Sequence, residues 1–145
     1  VSEVKRVSPE ETVKLMEEGH VYVDVRSVPE FEAGHVPGSL NVPLNHAGPG
    51  GMVPNPEFLD VMTRAFGKDE KLVMGCRSGN RSQRAAEMLV AAGYTTVSNL
   101  LTGFDATRDE FGRVVPGWSR VGLPVETGNP SGQRYEDVKE RKPAS

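Results

Sequence analysis

The sequence predicts an α/β protein with a mainly parallel central sheet flanked by helices on both faces. Three observations carry this. Short β-rich runs such as VYVDV (Val21 to Val25) and KLVMG (Lys71 to Gly75) alternate with segments of helical periodicity. Serine followed three residues later by glutamate opens two of those helical segments. Glycines stand where the helices should stop.

Taken in order, VSPEETVKLMEEGH reads as a capped helix: Ser8 is the N-cap, Pro9 suits the first helical position, Glu11 completes a capping box and Gly19 stops it. VYVDV is a strand. Ser27 and Glu30 repeat the box for a short helix ending at Gly34, and SLNVP is a second short strand. The Gly- and Pro-rich PLNHAGPGGMVPNP is too long for a simple connector and is expected as a functional flap or a mobile segment. Asn55 and Pro56 open a helix whose buried face is Phe58, Leu59, Val61, Met62, Ala65 and Phe66. KLVMG is a buried strand, Ser82 to Ala92 a helix closed by Gly93, TVSNL a strand, and GFDATRDEF the start of another helix. After Val125 the composition turns polar. Residues 1–125 are therefore expected as a single domain, and residues 126–145 as a solvated C-terminal tail with at most one helical turn.

Composition narrows the function. A net charge of −3 argues against a nucleic-acid partner, whose binders carry a basic excess. No stretch approaches the roughly 18 apolar residues of a membrane span. A single cysteine makes no internal disulfide, which fits a reduced, cytoplasmic setting, although a chain starting without methionine leaves a removed organellar leader open. His20, His35 and His46 lack metal-ligand spacing, and GPGG (Gly48 to Gly51) lacks the Gly-Lys-Ser/Thr ending of a phosphate loop. No metal or cofactor is expected.

The chemistry concentrates at Cys76. The only thiol ends an apolar strand, and Arg77, Arg81 and Arg84 follow it with no acid between Glu70 and Glu87. In open α/β sheets ligands bind beyond the carboxyl ends of strands, at the start of the next helix. There Gly79 and Asn80 permit a tight turn whose N–H groups converge into an anion-binding concavity, to which Arg77 and Arg81 add charge. These surroundings favour a thiolate, so the site suits a sulfur nucleophile or an anion carried on sulfur. A small buried cysteine closing a strand is the plain alternative, and the glycine turn, the charge and the strand-to-helix position together stand against it. Cysteine phosphatases wrap phosphate in a Cys-x5-Arg loop; Cys76 to Arg81 is one residue shorter, a cradle nearer the size of one sulfur atom.

CRSGNRS (Cys76 to Ser82) resembles the active-site loop of the rhodanese, or thiosulfate sulfurtransferase, family. VYVDVRSVPEFEAGHVPGSLNVPL resembles the family's N-terminal signature, with Asp24, Arg26, Glu30, Phe31, Gly34, His35, Pro37, Gly38, Asn41 and Pro43 in order. AAGYTTVSNLLTGFDA resembles its closing strand and helix. The likeness covers about Val7 to Val125 and suits the single-domain, rhodanese-like form. It implies a persulfide cycle on Cys76, with thiosulfate as donor and cyanide or a thiol as acceptor. Arg77, Ser78, Gly79, Asn80, Arg81 and Ser82 would bind the substrate, the guanidinium of Arg77 or Arg81 holding the donor's sulfonate and Arg84 lying at the rim. A persulfide relay fed by a protein donor, or a non-catalytic rhodanese-like binding module, would carry the same loop; a phosphatase or arsenate reductase would want the longer one. Donor preference is expected to rest on 47–55. RDEFGRVVPG departs from the family pattern and reads as an insertion or extended helix-turn. Asp24 and Arg26 are expected as a structural ion pair, His35 as a loop-fixing residue, and Trp118, Phe31, Phe58 and Phe66 as packing residues.

Overall fold

The structure, a computed structural model, describes residues 3–143; residues 1–2 and 144–145, which the expected domain and tail include, lie outside the described residues. The chain runs β1 (Lys5–Val7), α1 (Pro9–Glu17), β2 (Val21–Asp24), α2 (Val28–Ala33), β3 (Leu40–Asn41), β4 (Asn45–Gly48), β5 (Gly51–Pro54) and α3 (Phe58–Ala65). There follow β6 (Leu72–Gly75), α4 (Asn80–Ala91), β7 (Val97–Leu100), β8 (Ala106–Arg108), β9 (Val114–Pro116), a 3-10 turn at Trp118–Arg120, and α5 (Tyr135–Val138).

Five parallel strands form the central sheet in the order β1-β7-β6-β2-β3. Side chains alternate across it, as the strand period requires. Val23, Leu72, Met74 and Val97 face α3 and α4 through Phe58, Val61, Met62, Ala85 and Leu89. Tyr22, Val73 and Leu100 face the other way, against α1, Val36 and Trp118. The sheet is thus covered on both faces, which is why β6 and the Val21–Val23 part of β2 read as apolar runs. Chain order reverses between β2 and β6, so a crevice opens there beyond the carboxyl ends of the strands.

Local chemistry explains the element starts. Ser8 Oγ accepts from Glu11 N at 3.1 Å while Glu11 Oε1 accepts from Ser8 N at 3.0 Å, so the box that opens α1 is complete. At α2 Glu30 Oε1 accepts from both the N–H and the hydroxyl of Ser27. α4 begins at Asn80, two residues earlier than the sequence suggests, because Gly79 takes a left-handed φ of 91° as its N-cap. A Cβ at Gly79 would collide with Leu101 O.

Four segments differ from expectation. β1, unsignalled because Lys5 and Arg6 are charged and exposed, pairs with β7 as an edge strand. The flap or mobile segment is an antiparallel hairpin of β4 and β5 turning at Gly48 to Gly51. GFDATRDEF and the insertion do not form a helix: β8 and β9 make a second hairpin. Asp109 Oδ1 accepts from Phe111 N and Arg113 N, both at 2.9 Å, and this clamp on the turn outweighs the helical pattern. Finally, the expected solvated tail is docked. Tyr135 and Val138 of its single helical turn join the core, and Glu126 exchanges backbone hydrogen bonds with His35. No helix among the described residues is long and apolar enough to cross a membrane.

Asp24 and Arg26 form the expected structural pair, with Arg26 Nη2 2.7 Å from Asp24 Oδ2 and 2.6 Å from Gly34 O. His35, fully buried, is held through Nδ1 by Phe31 O at 2.7 Å and through Nε2 by Glu126 Oε1 at 2.9 Å. Trp118 packs edge-on against Tyr22 and donates to Pro124 O.

Candidate active site

Cys76 directly follows β6 and is 1% exposed. Its Sγ accepts from Gly79 N at 3.1 Å and lies 3.2 Å from Ser82 Oγ. Both contacts come from the entry of α4, whose first N–H groups have no acceptor within the helix and whose dipole puts partial positive charge there. The first turn of α4 contains no acid to offset it.

Behind the sulfur runs a network of fixed polarity. Asn99 faces α4 from β7 and donates through Nδ2 to Gly79 O at 3.1 Å and to Gln83 Oε1 at 3.0 Å. Its Oδ1 is left as an acceptor and takes the Ser82 hydroxyl at 2.6 Å. Gln83 in turn donates to Glu87, which fixes its own amide orientation.

The predicted loop residues therefore separate into two groups. Cys76, Gly79 and Ser82 meet at the sulfur. Arg81 stands beside them, but its guanidinium spans the crevice to α2 and binds Glu30 with both terminal nitrogens, at 3.0 and 3.1 Å. Burial alone would raise the Glu30 carboxyl, yet the Arg81 hydrogen bond and the Ser27 N–H prevail and hold it down at about 2. Arg77, Ser78 and Asn80 instead face outward onto a cavity of about 650 Å³ shared with Asp105, Arg108 and Arg120. Arg77 Nε lies 3.4 Å from Asp105 Oδ2, and Arg120 binds Asp105 Oδ1 at 2.8 Å. Arg120 foremost, opposed by partial burial and aided by Arg77, keeps the Asp105 carboxyl below its usual range. Neither expected sulfonate-holding guanidinium thus lacks a carboxylate partner. Arg84 is exposed and lines a separate groove with Pro54 and Met88, away from the cavity beside the cysteine loop; the hairpin on that cavity is β8–β9, not 47–55.

A cysteine at the end of a parallel strand, its sulfur capped by a glycine N–H at the next helix, sets this loop apart from a merely buried thiol. Residues 8–110 match the rhodanese-like domain family. The chain belongs to that family. It is 38% identical over 112 residues to thiosulfate sulfurtransferase 16, chloroplastic, of Arabidopsis thaliana, covering 77% of this chain and 84% of that protein. It is 35% identical over 111 residues to the thiosulfate sulfurtransferase GlpE of Pseudomonas fluorescens (strain SBW25), covering 77% of this chain and 91% of that one. The crystal structure of Rv0390 from M. tuberculosis aligns with a TM-score of 0.70 at 29% identity, covering 88% of this chain and all 100% of that chain.

Three residues of this rhodanese-like domain touch the loop without having been singled out from sequence for doing so. Glu30, whose spacing from Ser27 marks a helix cap, also anchors Arg81, 51 residues away. Asn99 is polar in a buried strand, VSNL, where β-propensity disfavours asparagine, and that mismatch is the available signal. Asp105 lies in GFDATRDEF, where the helical pattern conceals that it joins Arg77 to Arg120.

Proposed function

We propose that this rhodanese-like chain is a sulfurtransferase that moves the sulfane sulfur of thiosulfate to a thiophilic acceptor, cyanide or a thiol, through a persulfide on Cys76. The single observation that carries the reading is the sulfur cradle: Cys76 Sγ held at 3.1 Å by Gly79 N–H at the mouth of α4. A cradle that donates to one sulfur favours sulfur anions over a tetrahedral phosphoryl group, which needs more donors spread over a longer loop.

In the donor half-reaction the Cys76 thiolate attacks the outer sulfur of thiosulfate. The sulfur–sulfur bond of the donor breaks, its electron pair leaves with sulfite, and Cys76–S–S⁻ remains. The N–H groups at the start of α4 stabilise the negative charge on the new terminal sulfur. Ser82 and Gly79 hold Sγ in place, so attack needs no reorganisation of the cysteine. In the acceptor half-reaction cyanide attacks the terminal sulfur and departs as thiocyanate, and the electron pair of the broken bond restores the Cys76 thiolate. No separate general base is required, because the nucleophile enters and leaves each half-reaction as an anion.

The test is thiocyanate production from thiosulfate and cyanide. Parallel lines in double-reciprocal plots, as a persulfide intermediate requires, and complete loss of activity in Cys76→Ser are the expected results. Turnover that persists in Cys76→Ser, or intersecting lines, would overturn the mechanism. Hydrolysis of an aryl phosphate that depends on Cys76 would replace it with phosphatase chemistry.

A further inference from the structure

α4 has two stripes of opposite use. Ser82, Ala85, Ala86 and Leu89 are buried on the sheet side. Arg84, Glu87, Met88 and Ala91, spaced one turn apart along the helix, are all exposed on the outer side. With Leu59 of α3 and Pro54 at the end of β5, this outer stripe borders a mainly apolar groove of about 650 Å³. Leu59 and Met88 are 38% and 39% exposed, and Met52 and Val53, on the strand that supplies Pro54, are 47% and 52% exposed. Four of the nine large apolar side chains exposed among the described residues therefore stand on or beside one groove. Such a concentration marks a contact surface.

The charges on the stripe indicate what the surface fits. Arg84 and Glu87 are three residues apart, a spacing that permits an ion pair along the helix. They do not form one. Among the described residues Glu87 accepts from the Gln83 amide at 3.1 Å, and Arg84 meets no carboxylate. The order of the charges accounts for this, since a cation N-terminal to its acid is the less favourable arrangement. Arg77, Arg81, Arg120, Arg134 and Arg141, by contrast, all meet carboxylates. One positive and one negative charge, neither in an ion pair, thus stand a single turn apart on an apolar ridge. An anionic membrane or a nucleic acid calls for a basic surface, and this one is balanced. A surface that meets itself across a two-fold axis calls for both signs, because each cation then faces the other copy's acid and the pair forms twice.

We propose that this face is a dimer interface and that its occupant is a second copy of the chain, related by a two-fold axis. α4 of each copy lies antiparallel to α4 of the other, its Met88 ridge seated in the other's groove between α3 and α4. Ala91 lets the two helices approach. The apolar stem of Arg84 covers part of the ridge while its guanidinium reaches Glu87 of the second copy. The cavity beside the cysteine loop shares no residue with this groove, and the proposal is independent of the sulfurtransfer reading.

Sedimentation velocity on the full chain in reducing buffer tests it. At about 100 μM, a concentration that populates contacts of modest size, the wild type should sediment at twice the monomer mass. Arg84→Glu and Glu87→Arg each set like charges face to face across the axis, and each should weaken dimerisation by at least about tenfold. The double variant Arg84→Glu/Glu87→Arg restores opposite charges and should recover the dimer. Phe111→Asp, at the most exposed large apolar side chain and on a different hairpin, is the control and should leave the dimer unchanged. All these positions are exposed, and circular dichroism verifies that each variant keeps its fold. A wild type that stays monomeric at this concentration overturns the proposal and leaves the groove to a partner of other chemistry. A dimer indifferent to both single reversals, one that the double reversal fails to restore, or one that Phe111→Asp disrupts overturns it equally.

Discussion

Proton bookkeeping around Cys76 follows from hydrogen-bond polarity. Gly79 O and Gln83 Oε1 are acceptors, so Asn99 presents Nδ2 to them and Oδ1 to Ser82, whose one hydroxyl proton points to Asn99. A neutral Cys76 thiol then donates to Ser82 Oγ, whereas a thiolate or persulfide draws the Ser82 proton towards sulfur across 3.2 Å. Ser82→Ala removes that donor and should lower kcat/KM for thiosulfate about tenfold, with a loss of about 1 kcal/mol in stability, measured by steady-state kinetics and urea unfolding. Arg81 lies close enough to Cys76 to feel its charge, and Arg84 lies in a different groove. Arg81→Ala should therefore lower the thiosulfate rate about tenfold and Arg84→Ala by less than about twofold; equal rates in all three proteins would show that N–H groups alone hold the anion. Glu30 links this site to pH. Its carboxyl is at about 2 in the folded protein against 4.5 ordinarily, so its stabilisation is fully present above about 4.5 and disappears as pH falls through about 2. With solvent screening at a partly exposed pair discounted, that contribution is on the order of 1–2 kcal/mol. Glu30→Gln should flatten the acid limb of the stability curve in that window, which urea titrations at stepped pH would show.

Among the elements, the turn from β6 into α4 bears the site, and Gly79 is its constraint. A left-handed φ of 91° and the approach of Leu101 O exclude a side chain. Gly79→Ala should cost about 3 kcal/mol and displace the N–H that meets Sγ, so both thermal stability and persulfide formation fall. This turn was legible because its residues are contiguous: strand, cysteine, glycine turn and helix follow one another within Leu72 to Ala91. The capping box of α1 was legible for the same reason. The β8–β9 hairpin was not, since its register is set by Asp109 bonding to N–H groups beyond it, and a charge-rich stretch with helical spacing disguises that turn. Glu30, Asn99 and Asp105 lay hidden because their roles depend on partners brought together only by the parallel sheet, 51, 17 and 28 residues away.

Across the whole molecule, the segment after Val125 completes the core instead of trailing from it. Tyr135 donates no packing that polar neighbours would advertise, yet it is 9% exposed, meets Asn55 through its hydroxyl and lies under Lys139. Arg141 reaches Ala65 O and Glu70, closing the end of α3. Composition hid this, because two apolar residues three apart suffice to anchor one helical turn when a groove already awaits them. Tyr135→Ala should cost about 3 kcal/mol and lower Tm by about 10 °C in a scanning calorimeter. Intact-protein mass before and after incubation with thiosulfate decides whether Cys76 carries sulfur. A gain of one sulfur atom that reductant removes and that Cys76→Ser does not show is the expected result; an unchanged mass in folded wild-type protein rules the persulfide out.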